Sequence, residues 1–162
     1  MFTPRRFREE GHRRKFLAIV DETPECARAV HYAARRAGAI GNGLALARIV
    51  TPGEFGHWLG VEEIMRNEKR EEAEALLASH ADRARAWAPG VVVSTAIVEG
   101  EKLPAVGKLI AEDRDIAIMV LAAGEGSDGP GPLVSAVVAR AFPIPVTIVP
   151  ATLSDEDIED LV

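Results

Sequence analysis

The chain has 162 residues, 48% of them hydrophobic and 27% charged, the proportions of a single globular domain with room for a proper core. Its net charge of −6 is uneven: Arg5, Arg6, Arg8, Arg13, Arg14 and Lys15 against Glu9 and Glu10 leave the first 15 residues at +4 and the rest at −10, a poor balance for binding duplex DNA. The longest apolar run is too short to span a membrane, no apolar signal segment follows the polar N-terminus, and a single cysteine, Cys26, excludes an internal disulfide and fits a reducing compartment.

Residues 1–14 read as a basic, solvated arm. Lys15–Asp21 (KFLAIVD) is the first strand, apolar from Phe16 to Val20 and closed by an acid. Thr23 is then the expected N-cap of a helix, with Pro24 at its first position and Glu25 in its first turn. An apolar stripe through Ala27, Val30, Ala34 and Ala37 carries that helix to Gly38 or Gly41. Gly43–Val50 is a second buried strand, and Gly53–Gly60 holds an aromatic insert of Phe55, His57 and Trp58, read as packing. Val61–Ala88 is a long amphipathic helix with Ile64, Met65, Ala73, Leu76, Leu77, Ala84 and Trp87 on one face. A β-branched third strand, Val91–Val98, leads through Glu99-Gly100-Glu101 into a helix over Leu103–Glu112.

The stretch Ile116–Ser135 organises the rest. Eight apolar residues, Ile116–Ala123, form a strand buried on both faces, followed by a loop with Gly124, Gly126, Gly129 and Gly131. Gly131 is an N-cap and Pro132 the first residue of the next helix, which runs to about Phe142. A glycine-rich turn feeding a helix N-terminus can hold phosphate through free backbone amides; it can equally be a plain connecting loop. Val146–Val149 is the last strand, placed at a sheet edge because Pro145 cannot feed a central ladder. Residues 151–162 form an acidic tail, in which Ser154 with Asp157 has the form of a helix start. Strict β-α alternation predicts an α/β fold: one doubly wound, five-stranded parallel sheet in the order 3-2-1-4-5 with helices on both faces. The first and fourth strands are then neighbours, and their carboxyl ends, at Asp21 and Gly124, open on one crevice at the topological switch point.

These residues resemble the universal stress protein family across Lys15–Pro150. The strand ending at Asp21 before Thr23-Pro24-Glu25 looks like that family's opening, Ile97-Val98-Glu99-Gly100-Glu101 like its link into the third helix, and Pro143-Ile144-Pro145-Val146 like its closing strand. The resemblance implies a Rossmann-like fold and, in nucleotide-binding members, ATP or AMP with Mg²⁺ in the crevice. It implies contacts to ribose or adenine from Asp21, with Thr23 beside it and the main chain of Ile49 at the adenine. The phosphate loop departs from the family signature. Ala122 stands where the first glycine belongs, Gly124, Gly126, Gly129 and Gly131 come late, and the closing glycine-serine falls near Pro132-Leu133, with Ser135 two residues further on. Glu125 and Asp128 oppose a triphosphate, and no Lys or Arg lies in Gly124–Ser135.

Cys26, expected in a first helical turn where the dipole lowers a thiol's pKa, is either redox-active or a small packed residue. His31 and His80 are read as surface or boundary residues. No Ser-His-Asp order, carboxylate pair or metal cluster points to catalysis. The expected function is therefore that of a cytoplasmic, nucleotide-sensing or regulatory homodimer with a degenerate ATP loop, joined through Val146–Val149. The alternatives are a dimer of the same fold that takes no cofactor and acts through an unknown protein partner, and a nucleotide-hydrolysing enzyme.

Overall fold

The structure is a computed structural model and describes residues 13–51, 61–125 and 129–162, with the side chains of residues 61 and 62 excepted. The expected N-terminal arm up to residue 12, the Phe55–Trp58 insert, Gly126 and Asp128 lie outside the described residues. Ten elements alternate: β1 (Lys15–Ile19), α1 (Cys26–Ala39), β2 (Gly43–Val50), α2 (Val61–Trp87), β3 (Val93–Glu99), α3 (Lys102–Glu112), β4 (Ile116–Ala122), α4 (Pro132–Ala139), β5 (Val146–Val149) and α5 (Asp155–Leu161). All strand pairings are parallel and the sheet order is β3-β2-β1-β4-β5, as the alternation predicts.

Strand periodicity distributes the core to two faces. Phe16, Ala18, Val20, Leu44 and Leu46 pack under α1, α2 and α5 with Val30, Ala34, Leu77, Ala84 and Ile158. Leu17, Ile19, Ala45, Ala47 and Ile49 pack on the opposite face with Val106, Ile110 and Val134 of α3 and α4. β4 shows how that parity can be re-aimed. Its register against β1 jumps from Lys15↔Ile116 to Phe16↔Ile118. The extra residue lets Ile116 share a face with Met119 and Leu121, while Ile118 and Val120 face α1. Both faces are apolar because both are covered, which is why these strands read as continuous hydrophobic runs.

Two sequence expectations change. α2 buries Ala73, Leu77, His80, Ala81 and Ala84 and packs Met65 against Val50 of β2, whereas Ile64, expected on the same face, is 60% exposed. His31 and His80 are not surface residues; they are 1% and 7% exposed. His31 stacks on Trp87 of α2 with centroids 4.2 Å apart. Its Nδ1 lies 2.8 Å from Asp155 Oδ1 and its Nε2 2.6 Å from Glu159 Oε1, so α1 holds the C-terminal helix.

Candidate functional site

β1 lies between β2 and β4, so the chain leaving β1 emerges in the crevice between the helices of the two faces. Val20 continues the ladder by donating its N–H to the Ala47 carbonyl at 2.7 Å, and Asp21 follows, half-buried. The Asp21 carboxylate folds back on its own turn: Oδ1 accepts the Thr23 N–H at 2.9 Å and the Thr23 hydroxyl as well. This Asx-type turn takes up one carboxylate oxygen and joins Asp21 to Thr23. It also corrects the expected helix start. Residues 22–25 form a turn, Glu25 rather than Thr23 is the N-cap residue, and α1 begins at Cys26 with no side-chain cap. The Thr23 hydroxyl that would cap the helix is held by Asp21 instead.

On the other wall, the Ala123 N–H donates to Val149, and the Gly124 N–H to the Pro130 carbonyl at 3.2 Å, closing the loop on itself. Gly129 and Gly131 adopt φ of 84° and 103°, the left-handed region that glycine tolerates. Gly131 is the N-cap and Pro132 the first residue of α4, as expected. The next amides, Leu133 and Val134, meet no acceptor among the described residues, the ordinary state of a helix start. Gly124 is a place of close approach: a Cβ there would sit 3.0 Å from Glu25 Oε1 and 3.5 Å from the Gly129 carbonyl. The turn after β1 and the loop after β4 therefore meet through Glu25, which stands against Gly124 with the Gly129 carbonyl beside it.

The remaining expected residues stand apart. Ile49 is 4% exposed and its side chain belongs to the core against α3 and α4. Ala122 pairs with Val149 near the end of β4. Ser135 is exposed on the second turn of α4, where it lines a shallow groove with Leu103, Pro104 and Arg140. No hydrogen bond among the described residues joins Ser135 to Asp21.

Sequence reasoning missed three charged residues. Arg28 of α1 reaches the loop, its Nη1 lying 3.3 Å from Glu125 Oε1, so a cation does meet the loop that has none of its own. Glu25 stands over Gly124, and Arg48 of β2 meets Glu22 at 3.4 Å. The available signal was helical position. Arg28 is the third residue of α1, and hence at the crevice end of that helix.

Cys26 does not behave as a helix-start thiol. Its side chain is buried, donates to the Ile19 carbonyl at 3.7 Å and lies 3.9 Å from His80 Nε2. Burial pushes the thiol up from 9.0 to about 11, outweighing the Asp21 N–H that donates to its sulfur. His80 is lowered from its ordinary 6.5, first by burial and then by Arg83. The dipole argument fails because desolvation is the larger effect, and the pair is a neutral thiol beside a neutral imidazole rather than an activated nucleophile. No group of three or more potential metal ligands occurs among the described residues.

A doubly wound α/β domain with a crevice at the β1/β4 switch point is the class that this fold defines. The chain belongs to the universal stress protein family, whose model matches residues 12–150. A search of curated protein sequences returns no significant relative. Among solved structures, the chain is similar to a protein of the universal stress protein family from Burkholderia pseudomallei, at 19% identity and a TM-score of 0.65, over 85% of this chain and 96% of that one. It is similar to the Archaeoglobus fulgidus universal stress protein in complex with dAMP, at 18% identity and a TM-score of 0.55, over 85% and 98% of the two chains. It is also similar to a universal stress protein family protein from Arabidopsis thaliana with AMP bound, at 16% identity and a TM-score of 0.57, over 88% and 97%. At these identities the likeness is one of fold. Residues 151–162, with α5, lie beyond the family match.

Proposed function

We propose that this protein binds an adenine nucleotide in the β1/β4 crevice and acts as a ligand-sensing regulatory homodimer rather than as a catalyst. The observation that carries this reading is the pairing of β1 with β4, which sets the turn after Asp21 beside Gly124, where Glu25 stands against it. The Asp21 oxygen not used by its own turn can accept a ribose hydroxyl or an adenine amino hydrogen. The Leu133 and Val134 amides at the start of α4 can donate hydrogen bonds to a phosphate's oxygens. The dAMP and AMP named for two structural neighbours support adenine as the base.

Binding is expected to be modest, micromolar or weaker, about −8 kcal/mol at best. Glu25 and Glu125 bring negative charge to the phosphate side, and the Gly124 amide is already used by Pro130. A Mg²⁺ bridging such carboxylates to ATP would offset their repulsion. Regulation without chemistry fits a crevice whose buried thiol and imidazole are both held neutral. The reducing cytoplasm suits a free cysteine. Nucleotide released by denaturing the purified protein and identified by mass spectrometry tests the reading. Adenine nucleotide in near-stoichiometric or substoichiometric amount is expected, and turnover of labelled ATP above the uncatalysed rate would replace it with an enzymatic one.

A further inference from the structure

The β4–α4 loop has no basic residue between Gly124 and Ser135, yet a cation stands against it from another element. Arg28 projects from the crevice end of α1 with only 19% of its side chain exposed. Its one ion pair among the described residues runs from Nη1 to Glu125 Oε1 at 3.3 Å, and that carboxylate is itself 68% exposed. Its Nε is buried and has no hydrogen-bond partner among the described residues. A guanidinium carries five N–H donors in a planar fork suited to two oxygens of a carboxylate or phosphate. Here one long contact to a solvated side chain uses little of that capacity. Across the loop, Glu25 Oε1 rests over Gly124, and no ion pair joins it to a cation among the described residues.

We propose that Arg28 recognises the phosphate of the bound ligand, and that Glu125 holds the guanidinium in place until a phosphate displaces it. The inference rests on the nucleotide reading above and names its phosphate-binding residue. It also gives the ligand's class. One phosphate satisfies the Arg28 fork and takes the place of the Glu125 carboxylate. Each further phosphate meets Glu25 with no second cation from the described loop residues. The crevice therefore selects a nucleoside monophosphate over a triphosphate, and the choice is made by α1 rather than by the glycines of the loop.

Calorimetric titration with adenosine, AMP and Mg²⁺-free ATP separates these roles in the wild type, Arg28→Gln and Glu125→Gln. Adenosine has no phosphate and reports the base-and-ribose half alone. The wild type should bind AMP more tightly than ATP. Arg28→Gln should weaken AMP tenfold or more while holding adenosine within twofold. Glu125→Gln, at an exposed position, should tighten AMP threefold or more. The inference is overturned if Arg28→Gln keeps wild-type AMP affinity, if it weakens adenosine and AMP equally, or if Glu125→Gln loosens AMP. Adenosine binding with an unchanged AMP response would remove Arg28 alone. Failure of adenosine, AMP and ATP to bind any of the three proteins would remove the nucleotide reading together with it.

Discussion

Burial decides the chemistry of Cys26. The helix dipole and the Asp21 N–H both favour a thiolate, but removing the sulfur from water outweighs them and holds the thiol near 11. Because this folded value lies above the unfolded 9.0, the associated stability is complete below pH 9.0 and is lost as pH rises toward about 11. His80 has the opposite sign. Its folded value is depressed below 6.5, so its contribution is present above pH 6.5 and lost as pH falls through the folded value. Iodoacetamide at pH 8 should therefore label native Cys26 at only the rate of global or local opening, with full labelling in urea. Rapid labelling of the native protein would show that the sulfur is accessible and ionised. At this scale the position of Asp21 was legible, because an acid that ends an apolar run marks where a buried strand leaves the sheet. Arg28 and Glu25 were not, because their roles depend on which loop α1 faces, and the helix begins two residues later than Thr23-Pro24 suggests.

At the scale of an element, α5 is the part whose attachment is most specific. Ser154 and Asp157 form a reciprocal capping box, the N–H of each being accepted by the other's side chain, as their spacing predicts. The capping hydrogen bonds hold the Asp157 carboxyl below its ordinary range. What the sequence did not disclose is the dock. Ile158 is fully buried, and Asp155 and Glu159 converge on the two nitrogens of His31, with Glu159 also 3.0 Å from Arg35. A histidine in the middle of a helix carries no mark of a partner more than a hundred residues away. His31→Ala deletes the ring stacked on Trp87 and leaves two carboxylates without it; about 3 kcal/mol of stability should be lost. The urea midpoint measures that loss, and amide exchange at Ile158–Val162 should accelerate more than in the central strands. Unchanged exchange in α5 would mean that the helix is held by Ile158 alone.

Over the whole molecule, the sheet order was readable because alternating β and α units leave few right-handed ways to wind, and Pro145 marked its own strand as an edge. The crevice followed from that order, whereas its loop did not, since glycine spacing fixes neither Gly124's hydrogen bond to Pro130 nor Glu25's place above it. Among the described residues the same order leaves β5 paired on one side only, by β4, with Ile148 37% exposed and no charged residue in the strand. We expect a homodimer through this edge, in which Ile148→Lys places two like charges near the twofold axis and weakens association at least several-fold while the monomer stays folded. Light scattering that finds wild-type monomer at high micromolar concentration would remove that expectation. The central claim, however, is that the β1/β4 crevice takes an adenine nucleotide, and calorimetry of the wild-type protein with AMP and with Mg²⁺-ATP tests it most directly. One site per chain with a micromolar or weaker dissociation constant is predicted. No detectable heat with either nucleotide at millimolar concentration, or nanomolar binding of ATP, would contradict it.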